Sequence, residues 1–412
     1  MTLIELFDKS AINNIAPALC CQPDRIIYIG ENSKLMEKRT KIYKEIFEKK
    51  GLRTEVSFKS LNKNKLNLAV EYLSKIVEEY DDCVFDLTGG AEIYLVAVGV
   101  ILEKYKERVQ CHRYNVLNEK LIDTDTDGKI CATHEVSLSV EENVKIYGGK
   151  VKRGNDEFST YAWDFTDELK SDVFSCWDIC KNNAKHWNVL IGALGEMCSE
   201  SASASPSVVV PVSAAITVAS NWRVSYKEIL SLLLDFRKKG FIKNLSVEEN
   251  ISFEFKDENT KRLISVAGQV LELVVAFKMK EVLDENGRPL YDDVKVGVVV
   301  DWDAEGEEDN VGERETINGI DVFAMKGSLP VFVSCKNGNF DNEEIYKLNS
   351  VASRFGFDYG AKAIVASEFE KIVNRGKLEA RAVDMGIKIL KNVDEIDDEE
   401  WERLLRTLWN KQ

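Results

Sequence analysis

Short apolar runs alternate with amphipathic stretches over residues 25–124, and this alternation constrains the chain more than any other feature. Residues 25–30 (RIIYIG) read as a buried strand that ends in glycine. Residues 33–50 carry apolar positions at helical spacing and stop at Gly51. A short strand is predicted at 53–58, a helix at 64–80, and a strand in CVFDLTGG that runs into a glycine pair. An apolar helix at 91–105 and strands near 108–115 and 119–124 complete the series. Strands alternating with helices predict an α/β fold with a doubly wound parallel sheet.

The chain has 412 residues, enough for two or three domains at roughly 100–200 residues each. We place boundaries near 150 and 260. Residues 156–224 read as a partly helical connector with aromatic anchors (Trp163, Trp177, Trp187, Trp222) and a small-residue tract. Residues 225–255 are clearer. Ser225 and Glu228 form an S-x-x-E capping box, Gly240 closes the helix, and FIKNLSVEENISFEF reads as a hairpin. Helix plus hairpin resembles the end of a winged-helix unit. Beyond residue 260 the pattern predicts a helix at 266–283 and strands at 294–302, 319–326 and 330–336. A helix near 342–356, a strand at 361–367, a helix near 370–385, a short strand at 387–391 and an acidic, helical tail follow.

A net charge of −15 argues against a broad basic surface for nucleic acid. Any such contact has to be local or helped by bound cations. The run at 301–316 holds eight carboxylates against Arg314 and reads as a solvated hairpin loop. Nine scattered cysteines without a CxxC pair, and three histidines, argue against structural zinc and a disulfide framework. The reading is a reducing cytoplasm. The opening MTLIELFDKS is no signal peptide, and the longest apolar stretches fall short of the roughly 20 residues of a membrane span. A soluble protein with no membrane partner is expected.

Two loops qualify as a ligand site at the carboxyl ends of the predicted parallel strands. One is Gly30-Glu31-Asn32-Ser33-Lys34; the other is Asp86-Leu87-Thr88-Gly89-Gly90. Glycines allow close approach of backbone to phosphate, and the following helix directs free N–H groups to the same spot. The alternative is a plain tight turn. No G-x-G-x-x-G follows the first predicted strand and no G-x-x-x-x-G-K-[ST] occurs, which disfavours a dinucleotide site and excludes a P-loop. An apolar strand, D-x-T-G-G and an apolar helix, downstream of a strand-Gly-x-x-Ser loop, resemble the CARF domain over residues 1–150. CARF domains sense cyclic oligoadenylate in type III CRISPR defence. The resemblance implies that Thr88, Gly89 and Gly90, with Asn32 and Ser33, cradle cyclic tetra-adenylate, and that two chains pair across a two-fold axis.

A second constellation lies near the other end. In VFVSCK (331–336), alternation puts Ser334 and Lys336 on one strand face. Asp321 opens the preceding strand, and antiparallel pairing would bring it close to both. Glu272 interrupts the apolar helix VLELVVAF, where a buried carboxylate needs a partner. Phosphodiester hydrolysis needs a cation, and hard magnesium or manganese prefers oxygen ligands. Glu272, Asp321 and the Cys335 carbonyl would supply them, and Lys336 would orient or deprotonate the attacking water. Singly, Asp321 reads equally as a turn cap, Lys336 as a strand-end lysine, Glu272 as part of a wet helix face. The order helix-Glu, strand-Asp, strand-x-x-Lys resembles the PD-(D/E)xK restriction-endonuclease-like fold over residues 260–395. In that resemblance Glu272, Asp321, Ser334 and Lys336 are the catalytic set. Ser334 departs from the pattern, which has Asp or Glu there. Either Ser334 ligates weakly or through water, or Glu343 or Glu344 from the next helix substitutes. Tyr346 on that helix is a cleft or packing residue.

Together these resemblances imply a sensor at 1–150, a connector with a winged-helix-like unit at 151–260 and a nuclease at 261–412. The expected protein is a homodimeric endonuclease activated by cyclic tetra-adenylate, cutting single-stranded RNA or DNA or plasmid. The competing reading is a CARF-linked transcription regulator that uses Lys227, Arg237, Lys238 and Lys239 on its winged-helix-like unit. Glu248, Glu249, Glu254, Asp257 and Glu258 nearby would repel phosphate. A third reading is a ring nuclease acting on its own messenger, for which Lys34 is the nearby candidate.

Overall fold

The structure, a computed structural model, describes residues 1–124, 128–131, 134–153, 160–201, 206–302 and 317–409. Of the acidic run at 301–316, residues 303–316 lie outside these.

The first unit runs β1 (Thr2–Leu6), α1 (Ala11–Cys21), β2 (Arg25–Gly30), α2 (Ser33–Lys49), β3 (Glu55–Ser60), α3 (Leu66–Glu79), β4 (Cys83–Asp86), α4 (Glu92–Lys104), β5 (Val109–Asn115) and β6 (Lys120–Asp123). The strands form one sheet in the order β3-β2-β1-β4-β5-β6, parallel except for the final β5-β6 pair. The doubly wound sheet expected from the alternation is present. The opening residues, in which the sequence pattern shows no element, form the strand β1. It sits between β2 and β4 and is wholly buried. Its side chains alternate, Leu3 towards the core under α1 and α2 and Ile4 and Leu6 towards α3 and α4. Glu5 hides the strand from a hydropathy reading because it breaks a five-residue apolar run. Placing β1 here moves the switch point of strand order to β1/β4.

The connector begins with α5 (Val140–Ile146), whose capping box is Ser139 and Glu142. It continues with β7 (Lys150–Val151), α6 (Asp167–Asn182), α7 (Trp187–Ser199), β8 (Ser207–Pro211), α8 (Val212–Asn221), α9 (Tyr226–Lys238), β9 (Ile242–Val247) and β10 (Asn250–Phe255). The capping box of Ser225 and Glu228 starts α9 as expected. β8, β10 and β9 form a small antiparallel sheet beside α7, α8 and α9, the helix–strand–helix–helix–hairpin order of winged-helix units. The tryptophans anchor it. Trp187 packs edge-on to Phe236. Trp222 lies where a Cβ on Gly192 would meet its ring at 2.4 Å, so glycine is required there by close approach.

The last unit comprises α10 (Glu258–Ser265), α11 (Gln269–Glu281), β11 (Asp293–Asp301), β12 (Ile317–Lys326), β13 (Leu329–Asn337), α12 (Asn342–Gly356), β14 (Ala361–Ser367), α13 (Arg375–Asp384), β15 (Ile387–Lys391) and α14 (Asp398–Arg406). Its sheet runs β15-β14-β13-β12-β11-β7. β11, β12 and β13 pair antiparallel, while β13, β14 and β15 are parallel, joined by α12 and α13. The boundary expected near 150 cuts through β7, which crosses from the connector to pair with β11. Val331 and Val333 face a core shared with α11 and the winged-helix-like unit. Phe323 and Phe332 face the opposite core, shared with α12, α5 and α1 of the first unit. Among the described residues, no helix is long and apolar enough to cross a membrane.

Phe332 is fully buried, its ring centroid 4.6 Å from that of Phe323. Phe332→Ala should cost about 3–5 kcal/mol by transfer and cavity terms. Urea unfolding followed by circular dichroism should show a lower midpoint at unchanged slope.

Candidate functional sites at the two sheet ends

At the carboxyl end of the first sheet, the loop after β1 meets the loop after β4. The Asp8 carboxylate accepts from the Gly90 N–H at 3.0 Å and from the Ser10 N–H at 2.7 Å. The Asn14 side chain holds the Asp8 backbone at both N–H and C=O. A Cβ on Gly89 would lie 2.8 Å from the Asp8 Cβ, and one on Gly90 2.4 Å from the Leu6 Cβ. Gly90 also has φ +102. The glycine pair is thus required by the close approach of β1. Thr88 is spent on the turn as well: its hydroxyl donates to Asp86 at 2.8 Å and accepts from the Tyr114 N–H at 2.7 Å. Of the N–H groups of the turn, those of Leu87, Thr88 and Gly90 are taken by the His112 carbonyl, Asp86 and Asp8, so that of Gly89 is the one these contacts leave open. Asn32 caps α2 by accepting from the Leu35 N–H at 3.1 Å, and Ser33 and Lys34 are exposed beside it. Asp8 escapes a sequence reading because β1 does; the alternating TLIEL run is the one signal that points to it.

Beneath this mouth lies a buried polar row. Strand register aligns Glu5 with Asp86 and Asp86 with His112. Asp86 also accepts from the Thr88 N–H at 3.0 Å and lies 3.2 Å from His112 Nε2. Burial, then the neighbouring Asp86 charge, pushes the Glu5 carboxyl well above the usual carboxylate range. The protonated form of Glu5 is therefore favoured beside Asp86 under the turn.

The second site lies at one end of the last sheet. Asp321 sits mid-strand in β12 rather than near its start. Its Oδ2 accepts from the Cys335 N–H at 2.7 Å and from the Ser334 hydroxyl at 3.2 Å. Lys336 Nζ lies 3.9 Å from Asp321 and 2.8 Å from Glu344. The pairing expected between Asp321, Ser334 and Lys336 is therefore formed. Of the two carboxylates on the following helix, Glu344 reaches the site, whereas Glu343 is exposed. Tyr346 is 45% exposed with the Arg381 guanidinium over its ring. Glu272 projects from the first turn of α11 and is pushed up to about 8, by burial first and the Asp321 charge second. For Lys336, burial pulls the pKa down but Asp321 and Glu344 outweigh it, so the ammonium form is favoured. The Cys335 thiol, raised by burial, faces the α11 core.

A buried carboxylate, Glu272, whose cost of ionisation the Asp321 charge raises, beside a carbonyl-bearing strand, fits a hard divalent cation. Among the described residues, the acidic group whose oxygens all lie within 4.8 Å of one another is a different one, Glu168, Asp172 and Asp257. There Lys256 lies 2.7 Å from Glu168 and 2.8 Å from Asp172, and its ammonium offsets part of the charge.

The two sites are joined through the chain. Tyr359, just past α12, faces Asn13, Asp8 and Arg113 of the first unit. The other end of α12 carries Glu344.

No known family profile matches the sequence, and no curated protein matches it. Two solved structures share the fold over the whole chain. Protein VC1899 from Vibrio cholerae superposes with a TM-score of 0.73 at 15% identity, over 100% of this chain and 98% of that one. Can2 from Sulfobacillus thermosulfidooxidans, solved in complex with cyclic tetra-adenylate, gives 0.65 at 16% identity, over 99% of both chains.

Glu272 keeps its proton in the folded chain up to about pH 8, whereas an exposed carboxyl releases it near 4.5. Its share of stability is present below the lower value and is lost as pH rises towards the upper. Glu272→Gln should therefore raise Tm in chelator above wild type at about pH 8.5 and leave it unchanged at about pH 5, by differential scanning calorimetry.

Proposed function

We propose that this protein is a homodimeric, metal-dependent endonuclease switched on by cyclic tetra-adenylate in type III CRISPR defence. The observation that carries the reading is the convergence of Glu272, Asp321, Lys336 and Glu344 at one sheet end, from one helix, two strands and a second helix that sequence distance separates widely.

In this reading residues 1–150 sense the messenger and residues 261–412 cut, with 151–260 between them. The Thr88-Gly89-Gly90 turn, through the Gly89 N–H, and the exposed Asn32, Ser33 and Lys34 receive the phosphates and bases. α4 supports pairing of two copies: it exposes Leu95, Val96 and Val100, at 37%, 53% and 43%, on a helix that is apolar nearly all round. Such a strip is covered when two first units pack about a two-fold axis. Glu272 and Asp321 would hold manganese or magnesium, with the Cys335 carbonyl. A bound cation offsets charge on the phosphate and acidifies a water. Lys336, held as an ammonium by Asp321 and Glu344, donates to the phosphate oxygens rather than removing a proton. Ser334 orients Asp321 through its hydroxyl. Glu344 takes the Lys336 side of the site, where the fold's usual acidic residue is replaced by serine. Ligand-driven movement of Asp8 reaches Tyr359 through Asn13, and so reaches α12. The ligand shifts the equilibrium only by its preference for one arrangement.

The test is cleavage of labelled single-stranded RNA, single-stranded DNA and supercoiled plasmid with manganese, with and without cyclic tetra-adenylate. Activator-dependent cleavage is expected, lowered at least ~100-fold in Lys336→Ala and in Asp321→Asn. Messenger binding without cleavage of any substrate would overturn the nuclease reading and favour a regulator, which duplex-DNA binding would then identify.

A further inference from the structure

The Glu272 carboxylate has a support that leads away from the cleft. Its Oε2 accepts from the Gln269 side-chain amide at 3.1 Å. The Gln269 oxygen accepts from Arg262 Nε at 3.2 Å. This orientation of the amide is dictated by chemistry, since guanidinium only donates and carboxylate only accepts. Gln269 is 4% exposed, so its amide has no solvent alternative. The Arg262 guanidinium lies 4.2 Å from the Tyr161 ring centroid and 5.9 Å from that of Trp163. Those rings pack edge to face at 4.9 Å. The Tyr161 hydroxyl donates to Asn259 at 2.9 Å, and the neighbouring Thr160 hydroxyl accepts from the Val299 N–H of β11 at 2.8 Å. The aromatic strap is therefore fixed to the sheet that carries Asp321. The other oxygen lies against Gly268, where a Cβ would sit 3.3 Å from Glu272 Oε1.

We propose that Gln269 and Arg262, clamped by the Tyr161–Trp163 ring pair, are positioning residues that hold one Glu272 oxygen so that the other is presented to a divalent cation. The inference rests on the metal-dependent reading of this cleft. A glutamate side chain has three torsions, and fixing one oxygen through a buried amide removes most of that freedom before the ion arrives. Outer-shell partners of this kind contribute about 10–100-fold to metal affinity. Tyr161 and Trp163 serve the same end, because they stack the planar guanidinium and fix the direction of its N–H bonds.

Manganese binding to the full-length protein, read from the electron paramagnetic resonance signal of the free ion, tests this without cleavage. Wild type should bind at a site that Asp321→Asn weakens. Gln269→Met, nearly isosteric, should weaken the same site about tenfold, at the lower end for an outer-shell partner. Arg262→Met should do likewise, and the double variant should be no weaker than either single, because both act through one chain of contacts. Tyr161→Leu should give a smaller loss. Cleavage by Gln269→Met should recover towards wild type as manganese is raised to saturation, which a packing defect would not do. Unchanged manganese affinity in Gln269→Met, with Asp321→Asn weakened, would overturn the relay alone. Binding that Asp321→Asn does not weaken would overturn the reading of the cleft and the relay with it.

Discussion

The protein depends on one shared apolar core. α1 and α2 close one face of the first sheet, α12 closes one face of the last, and α5 lies between them in the same buried cluster. Neither sheet buries that face alone. Closely packed interiors do not deform continuously, so a displacement of the loop after β1 has to be taken up by its packed neighbours. Tyr359 stands where the two units meet, against Asn13 and Asp8 on one side and at the end of α12 on the other. The Asn143 side chain, donating to the Phe355 carbonyl at 2.7 Å, ties α5 to the same end of α12. The coupling proposed between messenger and cleft is a property of this core before it is a property of either site.

Each site places one carboxylate, Glu5 or Glu272, where burial raises its cost of ionisation. Glu5 and Asp86 lie side by side beneath the turn, and Glu272 and Asp321 meet at the end of the last sheet. The two solutions differ. Asp86 is supplied with protein donors from Thr88 and lies beside His112, while burial and the Asp86 charge favour the protonated form of Glu5, whose Oε1 has no hydrogen-bond partner. Asp321 receives donors from Ser334 and Cys335 and lies 3.9 Å from Lys336, whereas Glu272 accepts from the Gln269 amide and the charges of Lys336 and Arg262 do not outweigh its burial.

Much of this is legible in the sequence, and the reasons are local. Repeated apolar runs predict the parallel sheet because a strand buried on both faces has no polar face to show. Two-residue alternation puts Ser334 and Lys336 on one face, and the hairpin to β12 brings Asp321 to them. The capping box of Ser225 and Glu228 marks α9 because a cap is made within four residues. β1 escapes because it is five residues long and includes Glu5, so its evidence lies in the pairing with β2 and β4. The roles of Thr88, Gly89 and Gly90 are only half readable: the turn is visible, but the requirement for glycine comes from Leu6 and Asp8, distant in sequence.

The sequence by itself determined most elements of the first and last units other than β1, the charge pattern and the pair of loops and strands on which chemistry is possible, because these follow from short-range periodicity and turn geometry. Tertiary structure decided which of those residues meet. It chose Glu344 over Glu343 to face Lys336, set Gln269 and Arg262 behind Glu272, and put Asp8 across the turn from Gly90. Each choice rests on contacts between segments whose separation along the chain carries no periodic signal, fixed only when the cores on either side of the last sheet close.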